Sequence, residues 1–67
     1  MITVWLNDIP RPIAPGQTVA MLLAELDVPP RGVAVAVNGE VVRRAEWPGA
    51  RLADGDRVEV LTAAQGG

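Results

Sequence analysis

At 67 residues the chain has length for a single domain, near the lower limit at which one hydrophobic core folds unaided. Hydrophobic residues make up 49% of it, yet the only aromatics are two Trp, so the core has to be assembled from Val, Leu, Ile and Ala. The net charge is −2 and all six basic residues are arginine, which argues against a nucleic-acid partner, while the absence of cysteine excludes a disulfide framework and thiolate metal sites.

Ile2-Thr3-Val4-Trp5-Leu6 alternates with period two, which predicts a strand with Ile2, Val4 and Leu6 on one face and Thr3 and Trp5 on the other. No basic region precedes an apolar one here, so no secretory signal is expected, and no stretch approaches the ~18 apolar residues of a membrane span. Asn7-Asp8 reads as a turn. The segment after it is interrupted by Pro10, Pro12 and Pro15, which permit at most an edge strand around Arg11 to Ala14.

Thr18 is a natural N-cap, and Val19, Leu22, Leu23 and Leu26 follow at the spacing of one helical stripe, with Ala20, Ala24 and Glu25 on the outer side. Asp27-Val28-Pro29-Pro30 is expected to stop this helix, because a residue before proline is pushed out of the helical region. Val33-Ala34-Val35-Ala36-Val37 then predicts a strand with valines inward and a flat alanine face outward. Asn38-Gly39 is a two-residue hairpin signal, because both positions tolerate positive φ, and Glu40 to Arg43 is the returning strand. Residues 44–51 read as irregular with a turn of 3₁₀ helix, Trp47 closing one end of the core. Asp54-Gly55-Asp56 is a second turn, and Arg57 to Leu61 is the last strand, with Val58 and Val60 inward and Glu59 and Leu61 outward.

A hairpin, one covering helix and further strands make an α+β domain with a mixed sheet. The first and last strands are the most regularly apolar and should lie centrally, parallel through a right-handed crossover. That is the β-grasp, or ubiquitin-like, arrangement, with residues 1–62 as the domain and 63–67 as a flexible tail ending Gly66-Gly67.

The chemistry available to such a chain is sparse. It contains no His, Cys, Lys, Ser or Tyr, which removes the usual nucleophiles, the imidazole base and the phosphate-binding lysine. Asp54 and Asp56 bracket a glycine in a turn, where a structural role is expected ahead of an acid/base pair. The terminal carboxylate of Gly67 is then the leading candidate for a reacting group, on a glycine that leaves its carbonyl unhindered.

These pieces resemble, in order along nearly the whole chain, the ThiS family, the small sulfur carriers of thiamin biosynthesis. The resemblance is carried by Asn7-Asp8, by Gly16-Gln17-Thr18-Val19 with Leu22-Leu23 and Leu26, and by Val35-Ala36-Val37-Asn38. Val42, Arg44, Trp47, Leu52, Asp54-Gly55-Asp56-Arg57-Val58 and Gly66-Gly67 complete it. It implies a carrier and not an enzyme, cytoplasmic, and binding no cofactor of its own. An E1-like partner would use ATP to adenylate Gly67, a persulfide-derived sulfur would displace AMP to leave a thiocarboxylate, and thiazole synthase would take the sulfur, with Gly66 as the guide. Extended, Ala63 to Gly67 would reach roughly 17 Å into a partner's site. The small subunit of molybdopterin synthase, a ubiquitin-like protein modifier and an inert β-grasp binding module stay open as alternatives.

The sheet face opposite the helix should carry Thr3, Trp5, Ala34, Ala36, Glu59 and Leu61. With Trp5 and Leu61 exposed beside Ala34 and Ala36, this face is the expected docking surface for partners.

Overall fold

The period-two segments pair into one mixed sheet. In this computed structural model, which describes residues 1–29 and 31–62, the strands are β1 (Ile2–Leu6), β2 (Ile9–Ile13), β3 (Val33–Val37), β4 (Glu40–Val42) and β5 (Arg57–Thr62). Their spatial order is β2-β1-β5-β3-β4. β1 and β5 run parallel, with Trp5 beside Arg57 and Leu6 beside Val58, and the other neighbours are antiparallel. One helix, α1 (Val19–Glu25), and a 3₁₀ helix (Arg44–Gly49) complete the β-grasp layout expected from the sequence.

The core forms where the inward face of the sheet meets α1. Val4, Val35 and Val58 from the three central strands pack with Val19, Leu22 and Leu23 of the helix, and Ile13, Trp47 and Leu52 close the ends. Trp47 fills its predicted place: it is buried, and its indole N–H donates to the Val42 carbonyl at 2.9 Å, so its one polar atom is satisfied. The start of α1 is stitched to the segment after the 3₁₀ helix, Val19 N–H donating to Ala50 O and Leu52 N–H to Gln17 O, both at 2.9 Å.

Four local expectations are corrected. β2 begins at Ile9, not near Arg11, and runs through Pro10 and Pro12. Those prolines are two residues apart, so both turn their nitrogens to the same side, and at a sheet edge that side can be the open one. The helix stops at Leu26, before the prolines matter. Asp27 adopts φ 60°, its N–H donates to Ala24 O, and Val28 N–H donates to Leu23 O, the paired bonds of a Schellman cap. Ala20 is not on the outer side but half-buried against the core. β4 ends at Val42, because Arg43 already caps the 3₁₀ helix.

Thr18 caps α1 as expected, its hydroxyl accepting from Met21 N–H at 3.2 Å. Met21 answers in place of the usual acid, its sulfur accepting from Thr18 N–H at 3.4 Å. Gln17, just ahead of the cap, is buried: its Oε1 accepts from Ala14 N–H and its Nε2 donates to the Glu25 carboxylate. Glu25 also lies 3.9 Å from the Arg11 guanidinium, so the far end of α1 is tied to β2.

Leu22 is fully buried at the centre of the helix face. Leu22→Ala should destabilise the fold by about 2–5 kcal/mol, a large share of what so small a domain has, and urea unfolding followed by Trp fluorescence measures it.

Candidate functional site

Gly66 and Gly67, and the rest of the expected tail from Ala63, lie outside the described residues. The structure fixes the place from which that tail departs: Thr62, the last residue of β5, lies opposite Val33 at one end of the sheet.

The polar residues that might have served chemistry are occupied in holding this arrangement. Asp54 Oδ1 accepts from Thr3 N–H and Asp56 Oδ2 from Ala53 N–H, both at 2.8 Å. Asp56 Oδ1 also accepts from the Asn38 side-chain amide, whose oxygen in turn accepts from Arg57 N–H, both at 3.0 Å. The two carboxylates therefore clamp the entrance to β5 onto β1 and onto the β3–β4 hairpin, the structural role expected of them. At the other end of β1, the Asn7 side chain behaves as one more peptide unit. Its amide donates to Val60 O at 3.2 Å, its oxygen accepts from Val60 N–H at 2.9 Å, and its backbone N–H donates to Val58 O at 2.9 Å. No group of three or more His, Cys, Asp or Glu side chains gathers as metal ligands would among the described residues.

The sheet face away from α1 carries the candidate docking residues, but not all together. Ala34 pairs with Leu61 and Ala36 with Glu59, and Val41 joins them from β4 opposite Ala36. Ala34, Ala36, Val41 and Leu61 line one shallow apolar hollow, with Glu59 at its margin. Leu61 is 68% and Val41 76% exposed, so this apolar surface is open to a partner. Trp5, 43% exposed, sits on the same face between Pro10 and Arg57. Arg57 is four residues before Leu61 on β5, which sets Trp5 roughly 13 Å along the sheet from Leu61. The charged Arg57 and Glu59 lie in between.

Val41 is the member of this surface that the sequence reading missed. The signal was present: a two-residue Asn38-Gly39 hairpin forces Val37 opposite Glu40, and hence Ala36 opposite Val41. Asn38 and Gly39 take φ 52° and 84°, as that turn requires.

Residues 4–67 match the model of the ThiS family. The chain is 47% identical over 64 residues to the sulfur carrier protein ThiS of Thermus thermophilus, covering 96% of this chain and 98% of that one. It is 38% identical over 61 residues to the sulfur carrier protein ThiS of Escherichia coli, covering 91% and 92%. The crystal structure of the thiamine biosynthesis protein ThiS from Geobacter metallireducens superposes with a TM-score of 0.82 at 33% identity, over 91% of this chain and 93% of that chain.

If Asp56 is a clamp, Asp56→Ala should lower stability by about 1–2 kcal/mol, for the bonds lost at Ala53 and Asn38. Denaturant titration measures this, and full stability in the variant would remove the clamp from the account.

Proposed function

The chain belongs to the ThiS family, and on that premise we propose that it is a small sulfur carrier of thiamin biosynthesis whose working group is the Gly67 carboxylate. The observation that carries this reading is the family match, which runs through to Gly67 itself. The occupied state of Asp54, Asp56, Asn7 and Asn38 supports it from the other side: the body spends its polar groups on architecture.

A carboxylate resists attack because its own charge repels nucleophiles. Adenylation by an ATP-using partner converts one carboxylate oxygen into part of an AMP leaving group, with release of pyrophosphate. A persulfide sulfur displaces AMP, and a thiol cleaves the resulting acyl disulfide to leave the thiocarboxylate. Thiazole synthase then takes the sulfur as the thiazole ring is built. The sulfur stays tethered and undiluted between partners, which is the physical advantage of a carrier. ATP, the persulfide and every catalytic group belong to the partners, so the chain acts as a co-substrate and not as a catalyst, in the cytoplasm.

The body serves as a handle. The hollow formed by Ala34, Ala36, Val41 and Leu61 abuts the end of β5, so the activating enzyme can grip it while the residues after Thr62 enter its site. Trp5 offers a second contact farther along the same face.

Two outcomes follow. Gly67→Ala, or one residue added after Gly67, should abolish thiazole formation in a reconstituted mixture of chain, activating enzyme, persulfide donor and thiazole synthase, with an unchanged unfolding midpoint. Normal product from the extended chain would overturn the carrier reading. Leu61→Glu should raise the Kd for the activating enzyme roughly tenfold or more, and Trp5→Glu should raise it less, neither altering stability. An unchanged Kd in both removes this face from docking.

A further inference from the structure

The outward face of the sheet is divided between two pieces of ladder. Trp5 belongs to the β1–β2 hairpin, whereas Ala34, Ala36, Val41 and Leu61 belong to β5, β3 and β4. Between these pieces lies the shortest join in the sheet, two register pairs against three to five elsewhere. β1 ends at Leu6 opposite Val58, while β5 runs on to Thr62. Past Val58 the Asn7 side chain stands in for the missing strand. Its oxygen accepts from Val60 N–H at 2.9 Å and its amide donates to Val60 O at 3.2 Å.

Asn7 suits this place for two separable reasons. Its φ of 49° lies in the left-handed region, which asparagine, aspartate and glycine tolerate. Its amide also carries a donor and an acceptor together, as a peptide unit does, which aspartate and glycine side chains do not. The hairpin turn needs only the first property, and glycine would supply it as well. The second property serves Val60 alone, and both bonds are exposed, so no buried polar group calls for them.

We propose that Asn7 is a positioning residue for docking: it sets the Leu61 hollow at a fixed offset from Trp5, so that one partner surface engages both. This rests on the reading of that face as the grip of the activating enzyme. Without the Asn7 amide, β5 beyond Val58 is held from the β3 side alone, and the offset between the two apolar islands loosens. A partner must then order the joint as it binds, which reduces the gain from its second contact. Asn7 acts through Val60 and touches no reacting atom.

A double-mutant cycle on the fully folded chain tests this, with the Kd for the activating enzyme as readout and hydrogen exchange at the Val60 amide reporting the bond. Asn7→Gly keeps the left-handed turn and removes the side-chain amide. Exchange at Val60 should quicken, and Kd should rise roughly threefold or more. In a chain that already carries Trp5→Ala only the Leu61 contact remains, so adding Asn7→Gly should change Kd by less than roughly twofold. Where the glycine variant does not fold, Asn7→Asp takes its place in the cycle, keeping the acceptor for Val60 N–H and losing the donor. An equal rise in Kd with and without Trp5 is what a merely structural role gives; it overturns the proposal and leaves the docking reading standing. Unchanged Kd in the Asn7 variant alone does the same. Unchanged Kd in both Trp5→Ala and Leu61→Ala overturns the docking reading itself, and the positioning role falls with it.

Discussion

β1 and β5 lie side by side and parallel although most of the chain separates them, and the rest of the fold is arranged to make that adjacency possible. A parallel pair needs a long crossover, and everything between Leu6 and Arg57 supplies it. The helix covers the inward face, β3 and β4 extend the sheet, and Trp47 seals the end. The register itself is short, two residue pairs, so side chains lengthen it. Asn7 pairs with Val60 past one end of β1, and the Asp54–Asp56 turn holds Thr3 and Asn38 near the other. Because these clamps fix β5, they also fix the place of Thr62, the last described residue.

Much of this was legible in the sequence because the relevant signals are local and periodic. The valine alternation of β3 and β5, the Thr18 cap and the Asn38-Gly39 turn each follow from one short segment, and the central place of β1 and β5 follows from their being the most apolar strands. What escaped depended on partners distant in the chain. Pro10 and Pro12 look like breakers until the neighbouring strand shows that they can face an open edge. Asp27 takes the left-handed position of the helix cap, a place more often held by glycine, so the stop was credited to the prolines beyond it although its place was read correctly. Gln17 is buried, with Ala14 and Glu25 satisfying both ends of its amide, an arrangement that no pattern within its own segment announces.

The candidate site divides in the same way. Ala34, Ala36 and Leu61 were found by face alternation alone, and the structure sets them around one hollow. Val41 required the hairpin register, and the separation of Trp5 from Leu61 required the parallel offset between β1 and β5, which no single-segment pattern contains. The division of labour is consistent throughout. Asn7, Asn38, Asp54 and Asp56 hold β5, and an apolar hollow lies open near Thr62, leaving the proposed covalent chemistry to a terminus that a partner can take in.

The most direct measurement is intact and fragment mass spectrometry of the chain after incubation with its activating enzyme, ATP and a persulfide donor. The account predicts one oxygen replaced by sulfur, confined to the C-terminal fragment containing Gly67. A Gly67 that keeps both oxygens, under conditions in which the same partners load another ThiS protein, would contradict it.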